Sequence, residues 1–181
     1  MNLNKTAPRE KKLKKITKER LKNIGLYYLE RFETSVQNLR EVLGRRINRY
    51  AFENPDFDKK QAQIWVEEIL SAFENAGYVN DERYAELKVR DYLAAGKSAR
   101  YIKTKLYAKG IDEKTVEKLI EIEDYDGKSA ALKFALKKHI GPYRKNEDER
   151  ESNKKKDMAS LLRAGFNYDD VCDILNMEIE Q

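Results

Sequence analysis

The chain is poor in the residue types that do covalent and metal chemistry. Its 181 residues include one cysteine, Cys172, and one histidine, His139. A lone thiol forms no internal disulfide and fits a reducing compartment. Cys172 and His139 by themselves cannot complete a tetrahedral metal site. Strand signals are nearly absent, and no glycine-rich phosphate loop follows a strand. No apolar run approaches the roughly 20 residues that span a bilayer. The basic N-terminal residues are not followed by an apolar signal core, so a cytoplasmic protein is expected and no membrane partner.

Acidic pairs do occur, as at Glu67-Glu68 and Asp169-Asp170. They lie on or at the start of surface helices, where solubility and helix N-terminal charge account for them better than acid–base catalysis does. The expectation is a protein that is not an enzyme and needs no cofactor.

What the chain has in quantity is charge. Charged residues make up 38% and hydrophobic ones 40%, with a net charge of +5. The charge is blocked. Residues 1–22 hold nine Lys and Arg against Glu10 and Glu19. Between Arg83 and Lys109 eight basic residues face Glu86 and Asp91, and between Lys128 and Lys145 six basic residues have no acidic neighbour in sequence. Acidic stretches lie between and after these blocks. Such patterning makes basic surfaces that attract polyanions, or faces that are merely solvated.

With only three prolines and eight glycines, helices dominate the reading. Apolar residues recur at helical spacing, and capping residues mark the starts. Helices are expected at about 17–32, 34–53, 58–77, 81–95, 98–109, 112–122, 127–140 and 154–164, with a ninth after Asn167 that carries Val171, Ile174 and Leu175. Ile64, Trp65, Ile69, Leu70 and Phe73 are read as the buried set of the third, and Ala131, Leu132, Ala135, Leu136 and Ile140 as that of the seventh. Gly141-Pro142 is expected to break the seventh, and the charged segment up to about 153 reads either as a loop or as a helical extension. Residues 1–16 read as a basic mobile tail with helical tendency near Lys11–Ile16.

The stretch from Ser98 to Gly110 has a cap, an apolar face of Ala99, Ile102 and Leu106, and a glycine stop. Shifted by 55 residues it recurs without a gap: Leu106, Gly110, Ile111 and Asp112 fall on Leu161, Gly165, Phe166 and Asn167, and Val116, Leu119 and Ile120 fall on Val171, Ile174 and Leu175. A weaker match sets Ser35, Leu39 and Leu43 on Ser98, Ile102 and Leu106. A three-helix unit of this size buries its own face poorly, so neighbouring units stack. The fold class expected is all-α, built of about three tandem three-helix repeats in an elongated, curved array, with boundaries at 17–78, 79–123 and 124–181. Of the eleven tyrosines some could stack on bases, but Tyr84, Tyr92 and Tyr101 are read as sealing the thin seams between small helical units.

Three segments carry a family resemblance. They are Gly77-Tyr-Val-Asn-Asp-Glu-Arg-Tyr-Ala85, Ile102-Lys-Thr-Lys-Leu-Tyr-Ala-Lys-Gly-Ile111, and Leu161-Leu-Arg-Ala-Gly-Phe166 with Tyr168 to Val171. Tyr28-Leu-Glu-Arg31, Ser35 and Leu39-Arg40 add a fainter one. Over about residues 20–177 the chain resembles the RecX family of recombination regulators; Lys88 stands where that family often has an aromatic residue. The resemblance implies three tandem three-helix repeats without catalysis, acting as a monomer in recombination and DNA repair. It implies binding to RecA filaments on single- and double-stranded DNA, and inhibition of RecA. The electrostatic contacts would come from Lys88, Arg90, Lys97, Arg100, Lys103 and Lys109 in the middle repeat. In the third they would come from Lys133, Lys137, Lys138, Arg144 and Lys145. The competing readings are a helical DNA-binding protein that acts without RecA and a protein–protein adaptor.

Overall fold

A computed structural model describes residues 13–177, and among them nine α-helices and no strand occur. The expected basic tail lies outside the described residues as far as residue 12. Residues 13–17 form no helix, and Ile16 is buried.

The chain divides into two compact units. The first holds residues up to Phe32 and Leu39–Val79. It comprises α1 (Lys18–Leu29), most of α2 (Val36–Glu53) and α3 (Lys59–Asn75). Thr17 and Asp58 cap α1 and α3 by accepting backbone N–H groups from Arg20 and Gln61. Leu21, Leu39, Leu43, Ile47 and Leu70 are fully buried there. The expected face of α3 is rotated: Ile64 is 53% exposed and Trp65 half-buried, while Ala62, Val66, Ile69, Leu70 and Phe73 form the buried face. Positions 62, 66, 69 and 73 follow the helical period, and Ile64 falls on the opposite side of it.

The second unit holds Glu33–Asn38 and Asn80 onward. It contains α4 (Asp81–Ala94), α5 (Ala99–Tyr107) and α6 (Glu113–Ile122) around one hydrophobic cluster. A second cluster gathers α7 (Gly127–Lys138), a 3-10 turn at Gly141–Tyr143, α8 (Glu147–Arg163) and α9 (Tyr168–Leu175). Tyr84 is buried, and the half-buried rings of Tyr92 and Tyr101 meet edge to face at 5.4 Å. Leu136, expected inside, is 53% exposed. The buried residues of α7 are the alanines Ala130, Ala131 and Ala135, whose small side chains admit close neighbours.

Two helix ends depart from the sequence expectation. α7 stops at Lys138, before Gly141-Pro142, because His139 itself takes the left-handed conformation at φ 51°. α8 begins at Glu147, so the charged segment is helical: Asn146 caps it, and Glu147, Asp148 and Glu149 in its first turn complement the helix dipole.

The 55-residue repeat is a repeat of geometry. Leu106 and Leu161 are both buried, as are Val116 and Val171, Leu119 and Ile174, and Ile111 and Phe166. The N–H of Ile111 donates to the Leu106 carbonyl at 3.1 Å, and that of Phe166 to the Leu161 carbonyl at 3.3 Å. Gly110 and Gly165 take φ of +81° and +93°. Asp112 and Asn167 then cap the next helices. Even the weaker match holds, since Ser35 and Ser98 are both buried and each accepts an N–H three residues on at 3.1 Å.

A Cβ at Gly165 would lie 2.7 Å from Ser98 Oγ and 3.0 Å from Arg100 Cβ, in a backbone conformation that side chains rarely adopt. Gly165→Ala is expected to destabilise the protein by about 1–3 kcal/mol, read as a lower midpoint in urea unfolding followed by circular dichroism. An unchanged midpoint would mean that the repeated stop is not under conformational constraint.

Candidate nucleic-acid interface

All eleven basic residues expected at the interface lie in the second unit, and their surroundings sort them into two groups. In the first group the cation is already engaged by the chain. Lys88 pairs with Asp91 at 2.9 Å, one turn along α4. Arg90 reaches Glu123 at 2.7 Å. Lys103 on α5 is bonded to Glu117 on α6, and this hydrogen bond raises its pKa. Lys109 donates to Asn38 Oδ1 at 2.6 Å. The three ion pairs each have an exposed partner, so each contributes little to stability and can exchange partners, whereas the Lys109–Asn38 contact is half-buried.

Arg144 is held differently. Its guanidinium makes a two-pronged contact with Asp157, Nε to Oδ2 at 2.8 Å and Nη2 to Oδ1 at 2.7 Å. The Gly141 N–H donates to the same carboxylate at 2.8 Å, and Asp157 is 2% exposed. This clamp ties the 3-10 turn to α8 and gives Arg144 an internal role that its place in a basic block does not reveal. Burial alone would push the Asp157 carboxyl up. The Arg144 and Gly141 hydrogen bonds and the Arg144 charge together outweigh it, so the pKa is lowered.

The second group has no ion-pair partner among the described residues. Lys137 and Lys138 are exposed in the last turn of α7, and Lys145 is exposed beyond the clamp. Lys133 lines a cleft of about 410 Å³ with Arg90, but Glu123, Asp124 and Asp126 line it too, so its sign is mixed. Lys97 and Arg100 belong to a more uniform place. Lys97 Nζ lies 5.0 Å from the Tyr101 ring centroid, and Lys105 Nζ lies 5.4 Å from it. A groove of about 650 Å³ runs beside them, lined by Arg100, Tyr101, Thr104 and Lys105 from α5 and by Leu162 to Gly165 at the end of α8. Arg163 contributes a third cation, and no carboxylate lines the groove.

One buried hydroxyl joins the two walls of this groove. Ser98 Oγ accepts from the Tyr101 N–H at 3.1 Å and donates to the Ala164 carbonyl at 2.6 Å. It caps α5 and ties it to the stop of α8 in the same contact. Sequence reasoning passed over Lys105 and Arg163 as binding residues. No sequence signal marks them, because the end of α8 meets the start of α5 only in the folded chain, through the Ser98–Ala164 hydrogen bond and the close approach at Gly165.

A family model described as the RecX second three-helix domain matches residues 80–120. A regulatory protein RecX of Myxococcus xanthus (strain DK1622) is 34% identical over 163 residues, covering 87% of this chain and 85% of that protein. The chain belongs to the RecX family. A crystal structure of RecX from Lactobacillus salivarius superposes with a TM-score of 0.58 at 25% identity, over 87% of this chain and 94% of that one. A second crystal structure, of regulatory protein RecX, gives 0.60 at 21% identity, over 87% and 70%, and supports the fold. This RecX-family chain is thus all-α with three-helix domains, and it belongs to a family of regulatory proteins. Among its described residues no group of three or more His, Cys, Asp or Glu is placed to hold a metal, and no helix is long and apolar enough to cross a membrane.

The Asp157 clamp has a pH signature. A carboxyl depressed in the folded state adds stability that is present above its unfolded pKa, near the ordinary aspartate value of about 3.9, and is lost as pH falls through the folded value. Asp157→Asn is expected to cost about 3–5 kcal/mol at neutral pH, the range for breaking one side of a buried pair. It should also flatten the acid limb of the stability curve below about pH 4, where the wild-type advantage disappears. Denaturant midpoints measured across that range check this; parallel curves for the two proteins would remove the clamp from the stability argument.

Proposed function

We propose that this protein binds RecA filaments on DNA and inhibits RecA, as a regulator of recombination and repair without catalysis of its own. The observation that carries the reading is the acid-free groove of α5 and α8, with Lys97 and Lys105 flanking Tyr101, and Arg100 and Arg163 beside them. Family membership supplies the regulatory context. Cations that lack internal partners are available to phosphates or to an acidic protein face, and releasing the counterions of a polyanion makes such binding salt-dependent. Tyr101 offers an aromatic edge between two ammonium groups, a combination suited to a nucleic-acid strand.

The remaining unpaired cations, Lys133, Lys137, Lys138 and Lys145, would extend the contact along the second unit. The exposed pairs of Lys88, Arg90 and Lys103 would exchange their partners for the ligand, and Lys109 would have to leave its half-buried contact with Asn38 to do the same. Arg144 is the weakest contributor in this reading, because moving it would strand a buried carboxylate. The working organisation is a series of three-helix repeats at 17–78, 79–123 and 124–181, of which the latter two carry the groove.

The test is RecA's DNA-dependent ATP hydrolysis. Addition of the protein below one copy per RecA is expected to lower the rate, and no change at excess would refute the reading. A triple variant Arg100→Glu, Lys105→Glu, Arg163→Glu is expected to need roughly tenfold more protein for the same inhibition, since each reversal removes a phosphate-class contact. Full inhibition by that variant at wild-type concentrations would assign the groove no part in it.

A further inference from the structure

The first unit contains a second concentration of unpaired cations, in residues that the reading above does not use. Two adjoining clefts of about 570 and 210 Å³ share Arg20, Ile24 and Arg46 as walls. The larger adds Thr17, Asn23 and Tyr27; the smaller adds Lys14, Arg49 and Tyr50. Three helical positions and one tail residue therefore bring three guanidinium groups and an ammonium to one place. Glu19 is the single carboxylate on the rim, and it is exposed. Arg20, Arg46, Arg49 and Lys14 have no ion-pair partner among the described residues. Their neighbours Lys18, Arg40 and Arg45 do, with Glu68, Glu67 and Glu41.

Arg20 is the informative residue. Its Nε is buried and no protein group accepts from it, a condition that Arg150 Nε shares in the second unit. A buried N–H without an acceptor carries a desolvation cost of about 1–3 kcal/mol, more when the group is charged, so native proteins seldom leave one. Arg20 sits on the first turn of α1, oriented by the Thr17 cap, whose hydroxyl accepts the Arg20 backbone N–H at 3.2 Å. Ile16, buried just before the cap, anchors the segment that carries Lys14. A fork of arginine donors in a cleft this size matches an oxygen-rich anion, and phosphate takes such bidentate contacts well. The rim is aromatic: Arg31 lies 4.1 Å above the Tyr27 ring, and Tyr50 packs edge to face on Phe57 at 4.9 Å. Phosphate donors within and aromatic rings beside them suit a nucleotide in a strand better than a free anion.

We infer that the cleft between α1 and α2, formed by Lys14, Arg20, Arg46 and Arg49, binds a backbone phosphate of a nucleic-acid strand. The inference rests on the nucleic-acid part of the proposed function and adds a site to it. It requires neither RecA nor the α5–α8 groove.

The experiment uses the full chain and a fluorescein-labelled oligothymidylate, with anisotropy recorded between about 50 and 200 mM salt. Arg46→Gln with Arg49→Gln is the main variant, since both side chains are exposed and the fold does not depend on them. It is expected to bind more weakly. The slope of log affinity against log salt should become shallower by up to about 0.7, the value for one phosphate contact on a single strand. Unchanged affinity and slope overturn the inference. If Arg46→Gln with Arg49→Gln binds normally while the Arg100, Lys105 and Arg163 reversal weakens binding in the same assay, the groove reading stands while this one fails. In a parallel arm inorganic phosphate is expected to raise the melting temperature of the wild type and not that of Arg20→Gln, whose helicity is checked by circular dichroism. A phosphate response that Arg46→Gln with Arg49→Gln abolishes, without any loss of oligonucleotide binding, would overturn the strand as the ligand.

Discussion

The rest of the structure depends on how the helices are made to stop. At the end of α5 and again at the end of α8 a left-handed glycine turns the chain, the next residue hydrogen-bonds back one turn, and its side chain re-enters the core it has just left. Helices of eight to twelve residues are marginal in isolation, because the nucleation cost is spread over few bonds. Here each stop returns an apolar residue to the core and places a cap for the following helix, so the ends contribute to packing. His139 and Asp124, both at positive φ, occupy equivalent positions after α7 and α6 without glycine. The need for the geometry is greater than the preference for the residue.

The same stop positions the chemistry. Gly165 brings the end of α8 against Ser98 and Arg100 with room for no side chain of its own. The buried Ser98 hydroxyl then serves two backbones at once. Arg100, Lys105 and Arg163 share a groove because of that close approach. Charge is thereby sorted. Where acidic helices such as α6 lie alongside, cations are consumed in exposed pairs, as Lys103 is with Glu117. Where the neighbour is a carboxylate-free stop, they remain open to a ligand. A basic block in sequence is therefore a supply of cations, and the packing decides which of them are available.

Much of the fold was legible in advance. The Leu106–Gly110–Ile111–Asp112 phrase and its copy at Leu161–Gly165–Phe166–Asn167 carry burial, turn and cap in residue types alone, and all recur in space. Less legible was which side of α3 faces inward, since Ile64 and Trp65 are as apolar as the residues that were buried. The end of α7 was hidden because histidine rarely takes a left-handed conformation. Arg144 looked like any other member of its block, because its partner Asp157 lies 13 residues on, within α8 and next to lysines. The four residues of the α1–α2 cleft are ordinary lysines and arginines on three separate segments, and only packing brings them together around shared clefts.

By itself, then, the sequence determined helix content, the repeated stop, the two cores of the second unit and the abundance of basic charge. These follow from local rules of period, cap and turn, which act over a few residues. The tertiary structure alone decided which cations are paired, which one clamps a buried carboxylate, and which converge on a groove with no acid in it. The physical reason is that pairing depends on distances of a few ångströms between side chains from different helices, and those distances exist only once the helices have packed.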